Sequence, residues 1–469
     1  MELTDVAAAP RTVSLPAVEP AWAEEARADP WLLGDIAYAV NGPFHVLYPQ
    51  RFADNARAFK ESLRGAGVEG QVYFGKKANK SACWLPVCSE TGSGTDVASV
   101  PELADSLRYG VPGEEIVVTG AAKSNELLRL AARHGALVAV DALDELERLR
   151  GIAAGTGRVR LLLRVLPEAD AHSRFGLAPA ELEEALDVCA AERERLVCEG
   201  FSFHLGGYAV EPRARLAADL VDRCLAARER GLPADSVSIG GGFAVSYVDP
   251  YAWREFNENY TDSWFHNGKT FTHFYPYHQS PVGASMLTAV LDSPAGGEHA
   301  TVGAKFAATG TRLLLEPGRA LLDGAGFSCF PVQGYKPRPD HGFVTVNGLS
   351  MSVSEQWKGS EYLPDPVLWP STADGHGAGN GDGNGLGNGD GSGGPVLACV
   401  GGASCMEYDM LTWRKVRLPR PPEYGDLLVY PNTAGYQMDK NETEFHQLPL
   451  PSRVVLSREK ERFRWQLDR

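Results

Sequence analysis

Along residues 45 to 320 the chain alternates short apolar runs with amphipathic stretches. The runs are QVYFG (71–75), TDVAS (95–99), EIVVT (115–119), LVAVD (137–141), VRLLLRV (159–165), GFSFH (200–204), DSVSIG (235–240) and RLLLE (312–316). Runs this short, apolar throughout and ended by polar residues or glycine, read as strands buried on both faces. Between most of them lie helical patterns. Phe52, Ala56, Phe59 and Leu63 recur at steps of four, three and four ahead of the first run. Further helices are expected over 124–135, 144–154, 179–191 and 214–231. Eight such units predict an α/β fold, a (β/α)8 barrel over 45–320, with an open doubly wound sheet as the rival arrangement.

The pattern changes on both sides of this region. VTVNG (344–348), PVLACVG (395–401) and GDLLVYP (425–431) read as strands without helices between them, which predicts a separate β domain, a barrel or sandwich, from 31–44 and 321–469. The segment IAYAVNGPFHVLYP (36–49) is expected to lend it a strand. Residues 1–30, rich in Ala, Pro and acid, read as a loose, disordered tail. Residues 373–395 are almost wholly Gly, Asn and Asp and read as a disordered loop, since they bury nothing to offset the entropy of ordering. The connection from Phe243 to Thr311 carries the aromatic stretch SWFHNGKTFTHFYPYH (263–278), either an added structural subdomain or a lid or dimer element.

Composition narrows the function. A formal charge of −15 disfavours a nucleic-acid or anionic-lipid partner. No apolar run reaches the ~20 residues of a membrane span, and the first thirty residues do not read as a signal peptide, so the expected location is cytoplasmic. The eight cysteines are scattered, without the spacing of a metal site or a disulfide framework.

Barrel enzymes carry their chemistry just past the C-terminal ends of the strands. Here those positions hold Lys77, Asp96, Arg164, His204, the run Gly240-Gly241-Gly242, and Glu316-Pro317-Gly318-Arg319. The loops after strands seven and eight are where barrels commonly hold phosphate. Glycine lets backbone N–H groups approach an anion, and arginine adds charge-assisted hydrogen bonds. A lysine in a barrel mouth suits a Schiff base with an aldehyde, and pyridoxal 5'-phosphate (PLP) is the common aldehyde cofactor with a phosphate handle.

The stretch VYFGKKANKSACWLPVCSETGSGTDVASVPEL (72–103) and the later runs SRFGL (173–177), FHLGG (203–207), SIGGGF (238–243), EPGR (316–319), GASCMEYD (402–409) and GDLLVYPNTAGY (425–436) occur in one order. In this the chain resembles the diaminopimelate/ornithine decarboxylase family, whose barrel is shared with alanine racemase. The resemblance implies PLP-dependent amino-acid decarboxylation in a homodimer with shared sites. It assigns Lys77, rather than Lys76 or Lys80, to the cofactor and to later proton donation. It places His204 on the ring face and Glu316 at the pyridine nitrogen, and it puts Gly241, Gly242, Gly318, Arg319 and Tyr436 at the phosphate, with Asp96 and Arg164 nearby. Cys405 and Tyr436 would reach the neighbouring subunit's barrel.

Three positions depart from the family pattern. Met406 follows Cys405 where the family has an acid, with Glu407 one further on. Gly207 replaces a serine, and the run NGLSMSVSEQWKGSEY (347–362) lacks the arginine expected for the distal carboxylate of diaminopimelate. These departures imply a substrate other than meso-diaminopimelate, one belonging to specialised metabolism. Two other functions fit the same fold. One is a racemase or epimerase, for which the resemblance predicts arginine where Glu316 stands. The other is a non-catalytic homologue that binds PLP or a partner.

Overall fold

The computed structural model describes residues 12–353, 359–371, 394–438 and 442–468. It divides into two compact units, one formed by Pro49–Val245 and Ser280–Asp323, the other by the described parts of Met1–Tyr48, Ser246–Gln279 and Gly324–Asp468.

The first unit is a closed barrel of eight parallel strands: Gly70–Gly75, Gly94–Val97, Ile116–Val118, Leu137–Val140, Val159–Arg164, Leu196–Ser202, Ser236–Ser238 and Arg312–Leu315. Each overlaps one of the apolar runs, though the sixth starts at Leu196, four residues before the run GFSFH. The eighth closes on the first with Gly70 opposite Leu313 and Val72 opposite Leu315. Inside, Tyr73, Val117, Leu137, Leu162 and Leu314 form a packed cluster, so the barrel is filled rather than hollow. The sixth strand carries a register shift against Leu161 and Leu162. Gly200 sits there at φ 140°, where a Cβ would lie 1.9 Å from the Ser236 carbonyl oxygen, so no other residue fits.

Outside the barrel, the helix Pro49–Gly65 buries Phe52, Ala56, Phe59 and Leu63. Phe52 packs on Phe74 and Trp84 at 5.0 and 5.5 Å, and Phe59 on Phe243 at 5.0 Å. Each buried phenylalanine contributes about 2–3 kcal/mol. The helices Asn125–Arg133, Leu143–Thr156, Pro179–Ala191 and Val210–Glu229 occupy the four other predicted stretches.

The second unit is a mixed sheet. Its strands run in the order Met410–Leu418, Val396–Gly401, Gly342–Val346, Gly326–Lys336, Phe44–Leu47, Ser452–Glu459 and Arg462–Leu467. Leu427–Tyr430 pairs with Gly326–Lys336 and with Val367–Trp369. Phe44–Leu47 lies between Gly326–Lys336 and Ser452–Glu459, so only the second half of the 36–49 segment is a strand. Its first half belongs to the helix Leu32–Val40.

Two expectations change here. Residues 12–30 are not a loose tail. The helix Ala21–Ala28 buries Trp22, Ala23 and Ala26, and the Trp22 indole donates to the Gly324 carbonyl at 2.8 Å and stacks on Tyr48 at 4.4 Å. Fully buried Arg414 donates to the Val13 carbonyl at 2.6 Å and fixes the segment before it. An Ala/Pro-rich composition hides this because the anchors are single residues. The aromatic stretch 263–278, expected inside the barrel's seventh connection, packs instead in the second unit. Phe265 bridges Arg414, the Lys415 ammonium donates to the Ser263 carbonyl at 3.0 Å, and His266 packs edge-on against Phe343 at 4.8 Å. Residues 1–11, and 372–393, which hold all but the last two residues of the Gly/Asn-rich run, lie outside the described residues.

Candidate active site

At the C-terminal ends of the barrel strands opens a cavity of about 690 Å³, lined among others by Lys77, Arg164, Ser202, His204 and Glu316. The first strand ends in the tight turn Lys76–Ala78, which sends adjacent lysines in different directions. The Lys76 side chain is buried, its ammonium 3.3 Å from the Lys80 carbonyl oxygen and 3.5 Å from Asp105. Lys77 lines the cavity, its ammonium 2.9 Å from Asp96 Oδ2. Asp96 is itself buried and accepts a 2.6 Å hydrogen bond from Thr119 on its other oxygen. The carboxylate therefore holds the lysine amine at the cavity wall.

Glu316 ends the eighth strand, buried, and accepts a 2.6 Å hydrogen bond from Ser238. Burial and the nearby Asp96 charge push its pKa up to about 7, against the pull of Ser238, Lys77 and Arg164. His204 stands open to the cavity, but crowding by protein, then the positive charges of Lys77, Arg164 and Arg213, push its pKa down to about 4. Its ring is therefore neutral at physiological pH and offers an uncharged face. Arg164 is held by Asp141 at 3.2 Å and lies 4.5 Å over the Phe175 ring. Asp141 also accepts the Gly176 N–H at 3.0 Å, tying the SRFGL segment to the barrel end.

The triple glycine is a cradle that side chains would fill. A Cβ on Gly240 would meet the Phe203 carbonyl oxygen at 2.8 Å, on Gly241 the Glu316 carbonyl oxygen at 2.8 Å, and on Gly242 the Arg213 guanidinium at 2.4 Å. Gly240 and Gly242 also take positive φ, at 65° and 78°. Gly318 lies against Gly75 at the foot of the first strand's turn, and Arg319 is buried in the turn Arg319–Leu321.

Sequence reasoning missed Arg213. It is fully buried, donates to the Ala209 carbonyl at 3.1 Å and to the Gly241 carbonyl at 3.3 Å, and so braces the glycine loop. One arginine on an otherwise ordinary helix leaves no signal. Ser238 was legible only as a small polar residue inside a strand. Cys405 and Tyr436 lie in the second unit, Cys405 exposed and Tyr436 half-buried at φ 75°. Of the 347–362 run, residues 354–358 lie outside the described residues.

Comparison with known proteins supplies the family. Residues 50–273 match the model of the pyridoxal-dependent decarboxylase, pyridoxal binding domain. The chain is 34% identical to a Sinorhizobium fredii protein named "Uncharacterized protein y4yA", over 91% of this chain and 90% of that one. It is 31% identical to the diaminopimelate decarboxylase of Pseudomonas fluorescens, over 67% of this chain and 69% of that one. The crystal structure of diaminopimelate decarboxylase from M. jannaschi superposes with a TM-score of 0.70 at 19% identity, covering 93% of this chain and 91% of that one, which shows the shared fold. The chain belongs to the pyridoxal-dependent decarboxylase family. It is a PLP-dependent carboxy-lyase acting on an amino acid or a derivative of one.

The residues present fit the cofactor. Glu316 is a buried carboxyl that a cationic ring nitrogen would hold ionised, the glycine cradle suits a phosphate, and Ser202 Oγ on the cavity wall is buried without a hydrogen-bond partner.

Proposed function

We propose that this enzyme decarboxylates an α-amino acid other than meso-diaminopimelate, in the cavity centred on Lys77. The observation that carries the reading is Glu316, a buried carboxyl hydrogen-bonded to Ser238 in the wall of the cavity that Lys77 also lines. Lys77 would hold PLP through its amine and later return a proton, Glu316 would face the ring nitrogen, and His204 would cover the ring. Gly241, Gly242, Gly318 and Arg319 would hold the phosphate. Bound there, PLP supplies an electron sink for the bond pair left when CO2 departs. The protein's part is electrostatic and positional. Glu316 kept ionised against a protonated ring nitrogen strengthens that sink. Asp96 keeps the Lys77 amine oriented, and Arg164, fixed by Asp141, adds positive charge at the cavity wall.

Cys405 and Tyr436 complete the site in this reading from a second copy of the chain, giving a two-fold dimer with two shared sites. Support for a substrate other than meso-diaminopimelate is the missing arginine in the 347–362 run; Asp170, His172 and Ser173 in the cavity lining suit a polar distal group of either kind. A cytoplasmic location fits the six buried cysteines, none of which is in a disulfide among the described residues. Among the described residues no helix is long and apolar enough to cross a membrane.

The test is a panel of amino acids, meso-diaminopimelate included, incubated with PLP-loaded protein and followed for CO2 and for optical rotation. The reading predicts CO2 with stoichiometric amine from at least one member and little from meso-diaminopimelate. Loss of optical activity without CO2 would replace it with racemisation.

A further inference from the structure

The strand Phe44–Leu47 is buried along its whole length, and Phe44, Val46 and Leu47 are apolar. The remaining residue is His45, 0% exposed. An imidazole there costs desolvation that an apolar side chain of similar volume would not, so its nitrogens need partners. Both have them. Nε2 lies 3.1 Å from the Met438 carbonyl oxygen, and Nδ1 lies 2.8 Å from Oγ of Ser328, its cross-strand neighbour on Gly326–Lys336. Ser328 Oγ is in turn 2.7 Å from Thr433 Oγ1. A carbonyl only accepts, so Nε2 carries the hydrogen. Nδ1 of a neutral ring then accepts the Ser328 O–H, and Ser328 accepts that of Thr433.

Thr433 and Met438 flank Tyr436 on the run Pro431–Met438, which follows the strand Leu427–Tyr430 and is neither helix nor strand. The front of the run is pinned through its backbone and Asn432. The Thr433 N–H donates to the Gly326 carbonyl at 3.0 Å, the Tyr362 hydroxyl donates to the Pro431 carbonyl at 2.6 Å, and Asn432 Oδ1 accepts the Gly324 N–H at 2.7 Å. Every residue of the run is buried except Tyr436, which is half-buried. Tyr436 stands at φ 75°, a conformation that a bulky residue keeps only where its surroundings hold it. His45 grips the run on both sides of that residue, through Ser328 at Thr433 and directly at Met438.

We propose that His45 is a positioning residue for the cofactor phosphate, acting through Tyr436. The inference rests on the reading above in which Tyr436 completes the site of a second copy of the chain. An apolar residue at position 45 would fill the strand's interior equally well. What imidazole adds is two nitrogens on opposite edges of one rigid ring, which fix the two stems of the Tyr436 run relative to each other. A phosphate contact depends on that registry, because a charge-assisted hydrogen bond weakens steeply once donor and acceptor leave their range. The phenol would give the bond, and His45 would keep the phenol in place.

The test reads cofactor affinity. PLP-loaded protein is dialysed against graded PLP, or against graded pyridoxal, which lacks the phosphate, and bound cofactor is measured by absorbance. His45→Phe, which keeps the volume and loses both hydrogen bonds, should weaken PLP binding about tenfold and leave pyridoxal binding within about twofold. Thr433→Val, which removes one hydroxyl at nearly constant volume, should weaken PLP binding about threefold, and it decides the matter if His45→Phe does not fold. In a Tyr436→Phe background His45→Phe should cost no further PLP affinity, since the two act through one contact. A loss shared equally by PLP and pyridoxal, or a loss that adds in full to that of Tyr436→Phe, would make His45 a structural residue only and overturn the inference. Unchanged PLP affinity in His45→Phe, with Tyr436→Phe impaired, would overturn His45 alone. Unchanged PLP affinity in Tyr436→Phe would overturn the placement of Tyr436 at the phosphate, and the inference with it.

Discussion

Replacing Glu316 by Gln should move stability and activity in opposite directions. The carboxyl is buried, and burial with the Asp96 charge raises its pKa from 4.5 to about 7. In cofactor-free protein the folded state thus holds a proton that the unfolded chain gives up between those values. The group's contribution to stability falls as pH rises through that window, and the whole cost is present above it. At ~1.36 kcal/mol per tenfold change in proton affinity, that cost is about 3 kcal/mol as a ceiling. Glutamine keeps an oxygen for Ser238 and carries no charge to bury. Cofactor-free Glu316→Gln should therefore melt a few degrees above the wild type at pH 8 and about equal to it at pH 4.5. With PLP bound the carboxylate gains a cationic partner, so the advantage should shrink. Turnover should drop at least ~100-fold, the usual worth of one well-placed electrostatic partner. The assays are thermal melts at the two pH values, with and without PLP, and CO2 release. Near-normal turnover, or a variant less stable than wild type at pH 8, would refute the role given to this buried charge.

Three further outcomes follow from the same geometry. Asp96→Asn should loosen the Lys77 amine and lower kcat at least about tenfold while PLP remains bound, which absorbance and turnover together would check. Arg213→Met should weaken PLP binding about tenfold or more by releasing the Gly241 carbonyl it braces, read by cofactor titration; unchanged affinity would mean the loop is rigid without it. An equimolar mixture of Lys77→Ala and Cys405→Ala protomers, allowed to exchange, should recover roughly a quarter of wild-type activity, because half the dimers would carry one intact site of two. A mixture as inactive as its parents would rule out a shared site.

The barrel was legible because parallel strands buried on both faces must be apolar along their whole length, which makes each one a short run with a sharp polar end. Those ends also name the cavity residues, since Lys77, His204 and Glu316 come one or two residues past their strands. Arg213 was not legible, because its partner is a carbonyl of a distant loop and carbonyls have no sequence signature. Nor was the packing of Ser246–Gln279 with the β unit, since aromatic density reports burial without saying against what. Strands such as Ser452–Glu459 and Arg462–Leu467 escaped because exposed positions interrupt their apolar pattern.

The central claim is that Lys77 carries the cofactor in the barrel cavity, and covalent trapping tests it most directly. PLP-loaded protein is reduced with borohydride, digested, and the pyridoxyl-bearing peptide sequenced by mass spectrometry. The account predicts the adduct on Lys77, retained in Lys76→Ala and lost in Lys77→Ala, because the Lys76 side chain is buried away from the cavity and Lys77 lines it. An adduct on Lys76 or Lys80, or none in protein that holds PLP, would contradict it.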